Sequence, residues 1–305
     1  MKVRLILHGK AARDPRVREA VGAVRADGHV VEVRVTWEAG DASRFAREAV
    51  AEARKGAIDC IVAGGGDGTV NEVFAASLAA EPPERCSFGI LPLGTANDFA
   101  RSTGIPVDDL TAALRLVTTT PARRIDVGSL NGRVFVNLVS GGFGSRVTVE
   151  TDPELKSRLG GLAYVVTGVT RFRELSANSG RFRAEGFEWE GSFLALAIGN
   201  GRQAGGGIVL CPEARIDDGL LDLAILPELT GDARLEAFTQ LWRQGAAAVE
   251  NIQIRTRSAW IEYDSHEELH VNLDGEPVKT RHFRVECRPA SLRVHLGSTP
   301  LDGTA

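Results

Sequence analysis

The sequence predicts an α/β fold followed by an all-β fold, because the pattern of the chain changes once along its length. Up to about residue 122, apolar strand-like runs alternate with helical segments, as in an open, mostly parallel sheet with helices on both faces. Closely spaced strands follow, which is typical of a β-sandwich. The 305 residues also exceed what one small core needs. We therefore expect an α/β domain over residues 1–123 and a β-sandwich domain over residues 124–305.

Units of strand and helix follow one another in the N-terminal part. The pattern predicts strands over residues 3–7, 29–35 and 58–63 and helices over residues 15–27 and 41–55, with Asp41 as a helix cap. Parallel strands end at the same edge of a sheet, and that edge is where such sheets bind ligands. Thr36, residues 64–69 and Thr95 follow predicted strand ends. We expect these loops to meet on one rim.

The third strand runs into the glycine-rich segment 64–69, Gly-Gly-Gly-Asp-Gly-Thr. Glycine has no Cβ, so its N–H groups can approach an anion closely, and Thr69 with Glu72 has the spacing of a capping box. The segment lacks the Lys-Ser/Thr of a Walker A loop and the third glycine of a dinucleotide fingerprint. A strand-to-helix turn without a ligand is the alternative. Asp67 favours a magnesium-bound nucleotide, because a carboxylate repels phosphate unless a cation lies between them.

A second turn follows a strand broken at Pro92 and contains Gly94 and Thr95. Taken alone, Gly-Thr before Asn-Asp is ordinary helix-start chemistry. Beside a phosphate loop, the same turn is a candidate for the opposite wall of a nucleotide site.

The C-terminal part contains two acidic turns among its strands. The pattern predicts strands over residues 125–130, 134–139, 181–187, 192–198 and 220–226, with a hairpin at Asn131-Gly132. Asp217-Asp218-Gly219 predicts either a solvated turn or a metal site. Asp274-Gly275 predicts another hairpin. Glu276 follows closely enough for one carboxylate to orient the other, as a general base requires.

Composition excludes some classes of protein. The formal net charge of −4 argues against a general nucleic-acid binder. The four cysteines show no C-x-x-C spacing, which predicts reduced, buried thiols in a cytoplasmic protein. The sequence has no signal-peptide pattern and no apolar run long enough to span a bilayer. Residues 159–169, flanked by basic residues, predict either a membrane-interface segment or a core helix, and residues 229–250 predict a further helical stretch.

Four motifs in the same order resemble the diacylglycerol-kinase catalytic family and, within it, the bacterial lipid kinases. They are Gly64-Gly-Gly-Asp-Gly-Thr-Val-Asn-Glu72, Leu91-Pro-Leu-Gly-Thr-Ala-Asn-Asp98, Asn200-Gly-Arg-Gln-Ala-Gly-Gly-Gly207 and Asn272-Leu-Asp-Gly-Glu-Pro277. The resemblance implies an N-terminal nucleotide domain and a C-terminal β-sandwich with the active site in the cleft between them. Residues 227–257 match almost nothing in the family pattern.

The resemblance also implies roles for individual residues. Those that match the ATP contacts of the family are Thr36, Gly66, Asp67, Gly68, Thr69, Val70, Asn71, Glu72 and Thr95. The side chain of Asp218 and the backbone carbonyls of Arg215 and Leu220 match a structural Mg²⁺ site, with Ca²⁺ as the alternative ion. Glu276 matches the proton acceptor, and Asp274 is the neighbouring candidate.

These observations predict an ATP- and magnesium-dependent lipid kinase that approaches a membrane lipid peripherally, at the inner membrane surface. Phosphatidylglycerol and diacylglycerol are the candidate substrates, and the sequence does not distinguish them or fix the oligomeric state. An NAD kinase is one alternative, because that related group also has Gly-Gly-Asp-Gly before a helix. A nucleotide-binding regulator without turnover is another, although an intact Asp274/Glu276 pair argues against it.

Overall fold

The structure is a computed structural model that describes residues 1–142, 177–229, 236 and 252–298. The chain divides into two compact units, the first made of Met1–Val127 with the segment from Pro289 onward and the second of Gly128–Arg288. The predicted second domain instead extends to residue 305. The sequence pattern does not reveal that the chain returns to the first unit after Arg288. The predicted segment 159–169 and nearly all of the helical stretch 229–250 lie outside the described residues.

Parallel strands form the sheet of the first unit: β1 Lys2–Leu7, β2 Val30–Val35, β3 Cys60–Gly65 and β4 Ser87–Pro92. They lie in the order β2-β1-β3-β4. The helices are α1 Pro15–Ala26, α2 Asp41–Arg54, α3 Asp67–Ala79, α4 Asp98–Ser102 and α5 Leu110–Thr119. A 3-10 turn, Gly9–Ala11, follows β1. This arrangement confirms the predicted parallel α/β fold.

The parallel sheet has a buried centre, as its apolar strands require. Every residue of β3 and β4 is buried, and the register aligns Cys60 of β3 with Val3 of β1. Helix α1 packs with α5, and α2 packs with α3. Phe74 of α3 meets the edge of Phe88 of β4 with 5.4 Å between ring centroids. The strand ends are therefore held on a rigid support.

The start of α3 differs from the prediction. The helix begins at Asp67 with Gly66 as N-cap, so Thr69 lies within the first turn and the predicted capping box is wrong. Glu72 instead accepts hydrogen bonds from the N–H and the hydroxyl of Ser43 on α2, at 3.1 and 2.9 Å. The carboxylate of Glu72 therefore joins two helices.

The described residues of the second unit form strands joined by turns. These are β5 Arg123–Leu130, β6 Arg133–Phe135, β7 Leu138–Gly142, β8 Asn178–Ala184, β9 Phe187–Gly199, β10 Gln203–Ala204, β11 Ile208–Val209, β12 Leu221–Pro227, β13 Ile254–Ser258, β14 Trp260–Leu273 and β15 Glu276–Val294. The predicted strand 181–187 was wrong at its end, because a turn with Gly186 at φ +66° separates β8 from β9. Strand β5 begins in the first unit, and β15 ends in it.

Both predicted hairpins are confirmed. Asn131 and Gly132 have φ values of +47° and +86°, and Asp274 and Gly275 have +47° and +99°. Leu130 pairs with Arg133 across the first turn, and Leu273 pairs with Glu276 across the second. Positive φ at both central residues matches the twist of the flanking strands.

Two long strands organise the β-sandwich. Strand β9 pairs with β8 over residues 187–193 and with β7 over residues 195–199. Strand β14 likewise pairs with β8 over residues 261–264 and with β7 over residues 271–273. Such partner changes form sandwich corners. The core contains Phe182, Phe193 and Tyr263, and Tyr263 stacks on Phe283 with ring centroids 5.0 Å apart. The predicted β domain is confirmed.

The end of β15 completes the sheet of the first unit. Val294 pairs in parallel with Phe88 of β4, and the N–H of Ala290 donates to the Asp126 carboxylate at 2.7 Å. His295 is buried, with its Nδ1 2.8 Å from the Thr120 carbonyl and its Nε2 2.9 Å from the Ser87 hydroxyl. Burial lowers the pKa of His295.

The cysteines agree with the predicted reduced state. Cys60, Cys86 and Cys211 are buried, Cys287 is half-buried, and all four are free thiols. Burial raises the pKa of the Cys86 thiol to about 12 and also raises the pKa of Cys60 and Cys211. These thiols serve as small apolar side chains of the cores.

Candidate active site

Two glycine turns contact each other at the carboxyl ends of β3 and β4. The N–H of Leu93 donates to the Gly65 carbonyl at 2.9 Å. A Cβ built on Gly94 would lie 2.5 Å from the Cα of Gly66 and 2.9 Å from the Asn97 side-chain oxygen. Because real Cβ atoms do not approach this closely, the contact requires glycine at position 94. The predicted meeting of the two loops is confirmed.

Asp67 links the two turns. Its carboxylate accepts hydrogen bonds from the N–H groups of Asp98 and Phe99 at the start of α4, both at 3.2 Å. The sequence predicts a magnesium-mediated contact between Asp67 and phosphate. The structure adds a second role. Each oxygen of the Asp67 carboxylate accepts a hydrogen bond from one of these N–H groups, so Asp67 also ties the first turn to α4.

A cavity of about 540 Å³ in the first unit is bordered by Thr69 of the first glycine turn. Three of the predicted ATP contacts, Thr36, Thr69 and Glu72, line it. The other lining residues are His8, Gly9, Lys10, Trp37, Glu38, Ala39, Gly40 and Ala42. Its volume is in the usual range for small-molecule sites. The Thr36 hydroxyl accepts a hydrogen bond from the Gly9 N–H at 3.0 Å, which ties the loops after β1 and β2 together.

The loop after β2 is rigid, but its tryptophan is exposed. Asp41 accepts hydrogen bonds from the N–H groups of Trp37 at 2.7 Å and Glu38 at 3.1 Å, and it pairs with Arg44 at 2.6 Å. The hydrogen bond from Trp37, followed by those from Arg44 and Glu38, lowers the pKa of Asp41 to about 2. The predicted helix cap at Asp41 is wrong, because Gly40 is the N-cap of α2. The Trp37 residue is 94% exposed although its backbone is fixed.

Two predicted ATP contacts have buried side chains. Val70 is 3% exposed and Asn71 is 6% exposed. In the described part of the chain, no donor reaches the buried side-chain oxygen of Asn71. Because the side chain of Val70 is buried, any contact from Val70 to a ligand outside the core must use its backbone.

In the second unit, Asp274 is held by backbone amides. Its carboxylate accepts from the N–H groups of Val136 at 2.7 Å, Asn137 at 3.1 Å and Leu138 at 2.9 Å. Its own N–H donates to the Leu138 carbonyl at 3.2 Å. Three such hydrogen bonds fix the position of the carboxylate. Asp274 therefore orders the hairpin.

Glu276 has a different environment on the same hairpin. Its side chain is 56% exposed, and its carboxylate pairs with the Arg133 guanidinium at 2.6 Å. An exposed ion pair of this kind is weak, so the carboxylate can exchange its partner. Glu276 is thus the more accessible of the two candidate bases.

The asparagine–glycine motif at Asn200 meets the segment that holds Asp274. The Asn200 side-chain amide donates to the Val136 carbonyl at 2.8 Å, and the Asn137 side-chain amide donates to the Gln203 carbonyl at 2.7 Å. A Cβ on Gly201 would lie 2.2 Å from the Asn137 side-chain oxygen. Asn200 and Asp274, which belong to two separate motifs, therefore converge on residues 136–138.

The residues at the predicted magnesium turn do not fit a divalent cation as they are folded. One oxygen of Asp218 accepts from the Leu220 N–H at 3.1 Å, and the other pairs with the Arg257 guanidinium. A cation bound to this carboxylate would have to displace Arg257. Among the described residues, His, Cys, Asp and Glu side chains form no group of three or more that could hold a metal ion. Arg215 precedes and Leu220 follows the acidic residues of the turn.

Comparisons with known proteins agree with this geometry. Residues 2–130 match the diacylglycerol kinase catalytic domain, and residues 137–296 match the YegS C-terminal NAD kinase beta sandwich-like domain. A Pseudomonas aeruginosa (strain UCBPP-PA14) protein named "Probable lipid kinase YegS-like" is 52% identical over 295 residues, which cover 97% of this chain and 94% of the relative. The chain belongs to the diacylglycerol kinase catalytic family. It is therefore an enzyme, a lipid kinase.

Further relatives of this lipid kinase cover nearly its whole length. A protein of the same name from Xanthomonas euvesicatoria pv. vesicatoria is 48% identical over 308 residues, 98% of each chain. A crystal structure assigned as a diacylglycerol kinase from Bacillus anthracis str. Sterne has a TM-score of 0.80 at 26% identity, and the match covers 99% of this chain and 96% of that one. The two-part fold is thus that of the family.

The sequence missed several residues of the lipid kinase that now lie in or near the candidate sites. His8 and Lys10 line the cavity, and Trp37 stands at its edge. His8 and Lys10 follow the end of the first strand, the same signal that identified Thr36. Arg257 lies in a segment without recognisable family motifs, so its pairing with Asp218 had no sequence signal.

Proposed function

We propose that this kinase transfers the γ-phosphoryl group of ATP, delivered as its magnesium complex, to a hydroxyl group of a membrane lipid. Phosphatidylglycerol and diacylglycerol are the candidate acceptors. The observation that carries the proposal is the first glycine turn, which contacts the second turn and contributes Thr69 to the lining of a cavity of about 540 Å³. Glycine turns at strand ends and an adjoining helix N-terminus suit a nucleotide phosphate.

In this proposal the first unit binds ATP. The phosphates lie against the backbone of Gly66, Gly68 and Thr69, where the N-cap of α3 has no side chain to compete for the first-turn N–H groups. Thr36 and Thr95 contribute hydroxyl groups. Val70 and Asn71 support the turn from the core, and Glu72 fixes it to α2 through Ser43.

The residues that line the cavity add two features that suit ATP. The ammonium group of Lys10 supplies positive charge for the phosphates. The exposed indole of Trp37 offers a flat surface for the base, and stacking of a base on an aromatic ring is worth about 1–3 kcal/mol. Magnesium bound to ATP would neutralise charge on the phosphoryl group during transfer.

Glu276 is the proposed general base. Its carboxylate takes the proton of the lipid hydroxyl, whose oxygen forms a bond to the γ-phosphorus. The bond from that phosphorus to the β–γ bridging oxygen breaks, and ADP leaves with the electron pair. Asp274 keeps the hairpin in place through three backbone amides. Arg133 pairs with Glu276 before the substrate binds and orients the carboxylate.

We also propose that the enzyme works in the cytoplasm, at the surface of the inner membrane. In the described ranges, no helix is long and apolar enough to cross a membrane. A peripheral enzyme must bind and leave the lipid surface, so cosedimentation with lipid vesicles tests this part. Retention in the supernatant at every vesicle composition would contradict it.

The deciding experiment is incubation of the purified kinase with ATP and micelles of phosphatidylglycerol or diacylglycerol, with and without EDTA. We expect a phosphorylated lipid that depends on magnesium and is lost in Glu276→Gln. A parallel reaction with NAD tests the NAD-kinase alternative, since phosphorylated NAD would replace the proposed acceptor. Binding of ATP without any phosphorylated product would favour a regulator instead.

A further inference from the structure

Arg257 bridges two carboxylates on neighbouring parts of the second unit. Asp222 of β12 and Arg257 of β13 are directly opposite each other in the antiparallel register. The Nε of Arg257 lies 3.2 Å from the Asp222 carboxylate, and its Nη2 pairs with Asp218 in the turn before β12. Strand pairing therefore fixes the guanidinium between the two carboxylates.

The surrounding charges are nearly balanced. Glu213 pairs with Arg255 and Asp217 with Arg215, each at 3.7 Å, in addition to the two carboxylates on Arg257. Among the described residues of this region, these pairs bring four carboxylates to three guanidinium groups. A hard divalent cation needs several oxygen ligands and an excess of negative charge. The positive charges of Arg215, Arg255 and Arg257 offset most of the negative charge of these carboxylates.

Displacement of Arg257 by a metal would leave a second problem. The side chain of Asp222 is 4% exposed, whereas that of Asp218 is 21% exposed. A buried carboxylate is costly unless a cation remains beside it. A metal at Asp218 that expelled Arg257 would therefore deprive Asp222 of its partner.

We propose that Arg257 takes the place of the structural divalent cation that the family resemblance assigns to the Asp218 turn. One guanidinium group pairs with both Asp218 and Asp222 and holds the turn against β13. The second unit then folds without bound metal. Magnesium enters this enzyme only with ATP, so the inference holds whether or not the proposed transfer to a lipid is correct.

The experiment measures the melting temperature of the nucleotide-free kinase in EDTA and in increasing MgCl₂ or CaCl₂. A structural ion at a hundredfold excess over its Kd would raise the melting temperature by roughly 5–11 °C. We expect less than about 1 °C for the wild type, far below that range. A rise within the range that Asp218→Asn abolishes would overturn the proposal.

Removal of the Arg257 guanidinium should make the melting temperature depend on divalent cations. Arg257→Gln leaves two facing carboxylates, so we expect a lower melting temperature in EDTA and a recovery with MgCl₂ or CaCl₂. The double variant Arg257→Gln/Asp218→Asn should lose that recovery. Arg181→Gln, which breaks the exposed 2.6 Å pair with Glu190 on the same unit, is the matched control and should show no metal response.

A variant that fails to fold does not prevent the test. Arg257→Lys keeps a positive charge and should remain folded in EDTA, and the wild-type titration needs no variant. Metal recovery of Arg181→Gln equal to that of Arg257→Gln would also overturn the proposal, because the response would then be unrelated to this turn.

Discussion

The sequence predicts candidate ligand sites both at the glycine turns of the first unit and at the acidic turn of the second unit. In the structure, the carboxylates of these turns have different surroundings. Asp67 accepts hydrogen bonds from two backbone N–H groups, and Thr69 of the same turn lines a cavity together with the exposed Trp37. Asp218 is neutralised by Arg257. A carboxylate next to glycine therefore does not by itself indicate a ligand. The free space and the exposed groups around the carboxylate are the features that favour a ligand.

The largest expected effect tests which carboxylate of the Asp274 hairpin does chemistry. Glu276→Gln should bind ATP nearly normally and lower kcat by roughly 10²–10⁴, the usual worth of a general base. Steady-state kinetics with lipid and a separate ATP-binding titration measure the two quantities. Glu286→Gln is the matched control, because Glu286 lies on the same strand, has similar exposure and pairs with Arg284 at 2.8 Å.

Asp274→Asn sharpens the same comparison. We expect this variant to lose stability, since an amide replaces a carboxylate that accepts three backbone N–H groups. If it loses turnover at unchanged stability while Glu276→Gln stays active, the two roles are reversed. Full activity of both variants would place the base outside this hairpin.

The next effect tests the exposed edge of the cavity. Trp37→Ala should raise the KM for ATP about 5- to 150-fold, because stacking of a base is worth about 1–3 kcal/mol. The value of kcat should change little, and Trp37→Phe should restore part of the affinity. Trp189→Phe in the second unit is the control. An unchanged KM with weaker vesicle binding would show that the indole contacts lipid instead.

A smaller effect tests the bracing role of Asp67. Asp67→Ala removes the acceptor of two hydrogen bonds to α4, so we expect the free energy of unfolding to fall by about 1–3 kcal/mol. Urea denaturation measures this loss, and an ATP titration in the same buffer measures affinity. Lower ATP affinity at unchanged stability would mean that Asp67 serves the nucleotide alone.

The smallest effect concerns pH and the loop that carries Trp37. The pKa of Asp41 is lowered from 3.8 to about 2 in the folded state. Its contribution to stability is therefore fully present above about pH 4 and is lost as the pH falls toward 2. Unfolding midpoints of the wild type and Asp41→Asn should converge over this interval. Parallel curves would show that Asp41 does not stabilise the folded state in this way.

The sequence predicted the fold and the glycine turns well because both rest on local signals. Continuous apolar strands, glycine runs and the dipeptides Asn131-Gly132 and Asp274-Gly275 determine the conformation of their own backbone. The failures depend on distant contacts. Glu72 bonds to Ser43 and Asp67 to the start of α4, and neither pairing can be seen in the neighbouring sequence.

The second unit shows the same limit more strongly. Strand β14 alternates at both ends, but the polar run of residues 264–268 interrupts the pattern, so only its hairpin was predicted. The partners of Asp218 and Asp222 come from β13, in a segment where no family motif guided the prediction. Charge compensation between strands is invisible until their register is known.

The path of β15 has a consequence for synthesis on the ribosome. The sheet of the first unit needs Val294 beside Phe88, and residue 294 emerges only after the whole of the second unit. At the usual rates of translation, residues 128–294 take roughly 10 to 30 s to make. During that time β4 lacks the partner that Val294 provides. The sheet of the first unit is translated first, but it is completed only after the whole second unit has been made.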